Sequence, residues 1–180
     1  MDLDDIILDG CCLLNLYGSG RILQILSALP VEFHIGGRAL GEAQWIALPE
    51  NDERQAIDHE DLKRQPNIHP EVLEGENELQ LFVRFAGLME DGEAEACAIA
   101  VSRGFGLATD ERKVRRIVSE NHPNVRLVFT SELLDAWQNQ ASLGDSEIAR
   151  VLTRITDCAS FAPPKSDPLR KWWLEHLILS

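Results

Sequence analysis

A three-layer α/β/α fold around a mainly parallel central sheet is what this chain predicts, on two observations. Short apolar runs alternate with longer stretches of helical periodicity, the order that builds parallel strands joined by crossover helices. Two of those runs, Ile6-Ile7-Leu8 and Phe105 to Thr109, each lead into an acid, Asp9 and Asp110. In open parallel sheets ligands collect outside the carboxyl ends of strands, near the reversal of strand order. With 180 residues, 44% of them apolar, the chain is long enough for one domain with a sizeable core.

Taken in order, residues 6–9 read as a buried strand that hands Asp9 to a helical turn, CCLLNLYG. Gly18-Ser19-Gly20 breaks the pattern; it lacks the surroundings of a phosphate-binding loop and reads as a gap between helices. Arg21 to Ala28 predicts an amphipathic helix, with Ile22, Leu23, Ile25, Leu26 and Leu29 inward and Pro30 closing it. Glu32 to Ile35 predicts a strand. After Gly36-Gly37 the segment RALGEAQWIAL predicts a helix bearing Glu42. From Pro49 to about Asn77 the composition turns polar and acidic, which predicts a surface excursion rather than core.

Glu78 to Met89 favours helix, with Leu79, Phe82, Val83 and Ala86 on one face. Asp91 is the expected N-cap of a helix from Gly92 to Arg103. On it Glu93, Ala96, Cys97 and Ala100 share a face, whereas Glu95, about 200° further round, is expected in solvent. Phe105 to Thr109 predicts a strand, and Glu111 to Glu120 a helix with Val114, Ile117 and Val118 inward and its arginines outward. Val125 to Phe129 predicts a strand; Thr130 or Ser131 caps a helix with Leu133, Leu134 and Trp137. Ser146 to Cys158 predicts a further helix. FAPPKSDP is a stiff linker, and Asp167-Pro168 should open a last helix, LRKWWLEHLIL, too apolar to be left in water.

Four acids stand out: Asp9, Glu42, Glu93 and Asp110. Carboxylates gathered within a few Å repel, so one must take a proton or a cation must join them. Mg²⁺ or Mn²⁺ suits such oxygen ligands, keeps waters and binds phosphate, which points to phosphodiester chemistry. The net charge of −13 argues against broad nonspecific nucleic-acid binding, although Arg112, Lys113, Arg115 and Arg116 follow directly on Asp110. The cysteines Cys11, Cys12, Cys97 and Cys158 have no zinc-like spacing and read as reduced thiols packed as small hydrophobes. No apolar stretch reaches the ~18 residues of a membrane span, and the start MDLDD lacks the basic region of a signal peptide. A cytoplasmic protein with no membrane partner is the expectation.

Three segments resemble the PIN-domain family, in particular VapC-type toxin ribonucleases and related bacterial PIN-like proteins. ILDGCCLLNLYGSGRILQIL is similar to the family's opening strand, Asp and later Asn. ALGEA is similar to the short helix with the second acid, and DGEAEACAIAVSRGFGLATDERKVRRI to the acid-bearing helix, strand and TD segment. The likeness covers roughly residues 6–135. It implies a PIN-like domain over residues 1–160, with the polar excursion at about 49–77, and a C-terminal helical extension over 161–180. It further implies metal-dependent hydrolysis of RNA, with Asp9, Glu42, Glu93 and Asp110 catalytic and Asp9, Glu93 and Asp110 holding Mg²⁺ or Mn²⁺. Asn15, Thr109, Arg112, Lys113 and Arg116 would serve the substrate. An antitoxin protein covering the C-terminal helix and a homodimer are partners the resemblance suggests, and a non-catalytic PIN-like binding module is the competing expectation. Two positions depart from the family: Cys11 stands where Ser or Thr is usual, and Glu111 where a second Asp is common.

Overall fold

The computed structural model describes residues 4–48 and 53–178. Its elements in chain order are β1 (Asp5–Leu8), α1 (Gly10–Gly18), α2 (Ile22–Ala28), β2 (Glu32–Gly36), α3 (Gly37–Glu42), β3 (Trp45–Leu48), β4 (Glu53–Ala56), α4 (Glu60–Lys63) and β5 (Ile68–Glu71). There follow α5 (Gly75–Ala86), α6 (Asp91–Arg103), β6 (Gly106–Ala108), α7 (Arg112–Asn121), β7 (Leu127–Val128), α8 (Thr130–Ala141), α9 (Asp145–Ala159) and α10 (Arg170–Leu177). Five strands form one sheet in the order β5-β2-β1-β6-β7, every neighbouring pair parallel. The order runs outward from β1 in both directions, so it reverses between β1 and β6.

Alternation along β1 sorts the two layers. Ile6 and Leu8 join a core built with α1, α2, α8, α9 and α10, whereas Ile7 joins one built with α5, α6 and α7. Successive strand side chains point to opposite faces, so a fully apolar strand of this kind must be covered on both. The predicted α/β/α fold is the one observed. Among the described residues no helix is long and apolar enough to cross a membrane.

Several predicted elements differ. The helix expected across RALGEAQWIAL stops at Glu42, and Trp45–Leu48 instead pairs antiparallel with Glu53–Ala56. Within the predicted surface excursion, β5 forms an edge of the main sheet and Leu62 and Ile68 are buried; Pro49 to Asp52 lie outside the described residues. On α5 the expected inward residues Leu79 and Val83 are exposed, and Glu78 and Phe85 are buried instead. Arg103 explains the exchange, since its guanidinium donates to Glu78 Oε1 at 2.7 Å and also reaches Glu71. Glu71 Oε1 in turn contacts His34 Nδ1 at 2.6 Å, and His34 Nε2 contacts Asp5 Oδ1 at 2.9 Å. This polar chain ties β1, β2, β5, α5 and α6 together.

Caps shift by a residue or two. Glu90, not Asp91, is the N-cap of α6, and Phe129 precedes α8 where Thr130 or Ser131 was expected. The strand predicted over Val125 to Phe129 shortens to two residues. Asp167 does cap the turn before α10, accepting from Leu169 N at 2.8 Å, but the helix itself begins at Arg170. Of the predicted last helix, Leu179 lies outside the described residues.

Candidate metal centre

Strands β1 and β6 lie side by side, and the chain leaves both at the same edge of the sheet. Asp9 follows β1 directly and Asp110 follows β6 by two residues, so both stand at the carboxyl edge where the strand order reverses. A helix starting at Gly10 makes Asp9 its N-cap, and Asp9 Oδ1 accepts from Gly10 N at 2.6 Å. Its other oxygen accepts from Thr109 Oγ1 at 2.8 Å and from Cys11 Sγ at 3.4 Å. Asp9 is only 2% exposed.

Asp110 has its own set of donors. Oδ2 accepts from Asn15 Nδ2 at 3.0 Å, from Cys12 Sγ at 3.4 Å and from Thr130 Oγ1, and Oδ1 accepts from Thr130 N at 3.1 Å. The predicted polar residues Asn15 and Thr109 therefore touch the two aspartates themselves. Cys11 links the halves of the site: its sulfur donates to Asp9 and accepts from Asp110 N at 3.5 Å.

The two glutamates approach from the other side. Glu42, at the end of α3, accepts from Gly92 N at 3.1 Å in the first turn of α6. A Cβ on Gly92 would collide with the Glu42 carboxylate, and one on Gly10 would sit 3.0 Å from it, so glycine at both places makes room for this acid. Glu93 accepts from Glu90 N at 3.1 Å, completing a capping box, and is partly buried.

Burial is the leading influence on all four carboxyls, and it penalises the charged form. Asp9 and Asp110 are raised above the usual range, chiefly by burial and against the pull of their hydrogen bonds. Glu42 is raised by burial, then by Asp9, Glu90 and Asp91. Glu93 is pushed up to about 7 by burial, with Asp9, Glu111 and Glu90 adding repulsion. Among the described residues none of the four forms an ion pair with a base.

Among the described residues, the one group of three or more potential ligands with atoms all within 4.8 Å of one another is Cys11, Cys12 and Asp110. That cluster could hold a metal ion. The four acids do not converge so closely: Asp9, Glu42 and Glu93 gather around the start of α6, and Asp110 stands apart among Asn15, Cys12 and Thr130. The expectation that Cys11 and Cys12 serve only as packed hydrophobes needs correction, since both thiols bond the site's carboxylates. Burial and the neighbouring negative charge of Asp110 hold the Cys12 thiol well above its ordinary value, so in the absence of a metal it is a protonated donor.

Two charged residues expected in solvent are not there. Glu95 is 3% exposed; it accepts from Arg38 N at 2.8 Å and from the Arg38 guanidinium at 2.7 Å. Arg115 turns inward, donating to Thr109 O at 2.8 Å and Val128 O at 3.1 Å with its guanidinium against the Phe129 ring. Arg112, Lys113 and Arg116 are exposed on α7, as expected. Thr130, expected only as a helix cap, is the missed site residue; its sole signal was a hydroxyl placed directly after a strand. Comparison with protein families, with curated proteins and with solved structures yields no match to this chain.

Proposed function

We propose that the chain is a PIN-like, metal-dependent endoribonuclease acting at the carboxyl edge of β1 and β6. The observation that carries this reading is the pair of adjacent strand ends, delivering buried Asp9 and half-buried Asp110, neither with a basic partner among the described residues, at the point where the strand order reverses. Carboxylate oxygens suit a hard divalent ion: Asp9, Glu93 and Asp110 would hold Mg²⁺ or Mn²⁺ once Asp110, which now sits with Cys11 and Cys12, is drawn towards the other two, with Glu42 holding it or orienting a water. When bound, the ion supplies Lewis-acid polarisation of a phosphoryl oxygen and a water activated at neutral pH. Thr109, Asn15 and Thr130 fix the two aspartates, as supporting partners of ligands commonly do. Arg112, Lys113 and Arg116, exposed on the first two turns of α7 just after Asp110, would meet substrate phosphates. An antitoxin that covers the site or the C-terminal helix fits the same reading.

One observation favours a second reading, a non-catalytic binding module: protonated thiols at Cys11 and Cys12 satisfy both aspartates without a cation. One experiment separates the two. Calorimetry with Mn²⁺ should give saturable binding that Asp9→Asn and Asp110→Asn each weaken at least about tenfold, and the wild type should cut single-stranded RNA only when Mn²⁺ or Mg²⁺ is supplied. A folded wild type that binds neither ion would overturn the enzyme and leave the module.

A further inference from the structure

Three cavities lie end to end where α1, α9 and the β3–β4 hairpin meet. The first, about 360 Å³, opens beside the acids, with Asn15 and Asp110 on one side and Phe161 and Pro164 on the other. It shares Leu14, Ala159 and Ser160 with the second, about 220 Å³, which adds Trp45 and Arg54. Ile46, which the register turns to the hairpin face opposite Trp45 and Arg54, lines both the second and the third, about 430 Å³, which is rimmed by Arg21, Arg154, Gln24, Gln55 and one acid, Asp58. Helix α1 (Gly10–Gly18) measures the run: it rises about 9 Å from Cys11 at the acidic end to Tyr17 in the third cavity.

The chemistry along this seam contrasts with the rest of the surface. On a chain of net charge −13, Arg21, Arg54 and Arg154 are all exposed here, and among the described residues none of them is in an ion pair. Arg154 lies against the backbone of Gly20, whose left-handed φ of 67° and missing side chain admit the guanidinium. Trp45 is 56% exposed, and the hairpin register, Trp45 opposite Ala56 and Ala47 opposite Arg54, makes Trp45 and Arg54 diagonal neighbours on one face. A water-exposed indole beside the Arg54 guanidinium, with Arg21 and Arg154 in the adjoining cavity, is the combination that receives bases by stacking and phosphates by charge. An acidic peptide would use the arginines and leave the exposed indole of Trp45 without a partner. Only unpaired bases can stack on such a platform.

We propose that this seam is a track for single-stranded RNA, running from Arg21 and Arg154 past Arg54 and Trp45 to the acids. It deepens the nuclease reading and rests on it for the identity of the ligand. The test is fluorescence anisotropy of a short labelled oligoribonucleotide in EDTA, across a KCl series, with wild type, Trp45→Ala, Arg154→Gln and the triple Arg21→Gln, Arg54→Gln, Arg154→Gln. These side chains are exposed, so melting curves should stay close to wild type. Trp45→Ala should weaken binding at least about fivefold, and the triple variant should lower the salt slope by about 2, roughly 0.7 for each phosphate that an arginine no longer neutralises.

Wild-type affinity in all three variants would overturn the track, as would absence of RNA binding by the wild type. Equal affinity for an RNA duplex would overturn the single-strand assignment, and tighter binding of oligoglutamate than of RNA would overturn the ligand. Track-dependent binding with no cleavage when Mn²⁺ is restored keeps the track and removes the nuclease; cleavage indifferent to Trp45 and Arg154 does the reverse.

Discussion

A carboxyl in partly buried, negatively charged surroundings destabilises the fold until a proton or a cation reaches it. Glu93 is the clearest case, pushed up to about 7 from an ordinary 4.5 by burial first and by Asp9, Glu111 and Glu90 after it. For an acid whose folded pKa lies above its unfolded one, the stabilising contribution is complete below the unfolded value and is lost as pH rises through the folded value. Asp9, Asp110 and Glu42 shift in the same direction. Metal-free protein in EDTA should therefore melt at progressively lower temperature from pH 5 to pH 8. Glu93→Gln should flatten that decline and melt higher than wild type at pH 8, because the amide has no charge to desolvate. Mn²⁺ should restore the wild type at pH 8 and bind more tightly as pH rises through about 7, since it competes with the proton. Melting temperatures measured at several pH values with and without Mn²⁺ check both parts; a pH-independent melt in EDTA would refute the account of Glu93.

At the scale of elements, the position of α3 depends on a residue outside it. Glu95 reaches from α6 to the first turn of α3, bonding the Arg38 backbone and guanidinium, and Gly36 lacks the Cβ that would block it. The other end of α3 carries Glu42 to Gly92 N. Glu95→Ala should cost about 2–4 kcal/mol in chemical denaturation, short of the full penalty for a broken buried pair because Arg38 is 41% exposed. It should also release Glu42, so hydrogen exchange at the Gly92 amide should rise to the rate seen in Glu42→Ala. Unchanged protection would mean that Glu95 supports only the fold. The sequence hid this pair because helical periodicity separates two faces by assuming that one of them is wet. Helix α6 has no wet face in its middle: Ala94 to Ala100 are all buried, between the sheet on one side and α3 and α5 on the other. The β3–β4 hairpin and β5 were hidden for other reasons: the apolar run WIAL suits helix as well as strand and its partner ERQA is wholly exposed, while β5, IHPE, owes its pairing to the distant β2 rather than to a local pattern. Asp9 and Asp110 were legible because an apolar run ending in an acid states both its strand and the edge at which the acid emerges.

At the scale of the molecule, the C-terminal segment completes the core that supports the site. Trp173 is fully buried in the cluster that contains Ile6, Leu8, Leu13 and Leu16, and Phe161 meets it edge-on at 5.3 Å. Ser131 Oγ donates to Asp167 at 2.8 and 2.9 Å, fastening the segment beside Thr130, which holds Asp110. The sequence foresaw that the apolar last helix needs a cover but left open whether this chain or a partner provides it; Trp173 finds its cover within the chain. Its indole N–H, however, has no acceptor among the described residues, so the ring stabilises through packing while its polar atom works against burial. The two effects separate by substitution. Trp173→Ala should lose about 3–5 kcal/mol by opening a cavity under α9. Trp173→Phe gives up part of the ring but also removes the unsatisfied donor, and should stay within about 1–2 kcal/mol of wild type. Urea denaturation of both variants measures the difference. An equal loss in the two would mean that the indole nitrogen is bonded in solution, and a negligible loss in Trp173→Ala would mean that α10 does not hold the core.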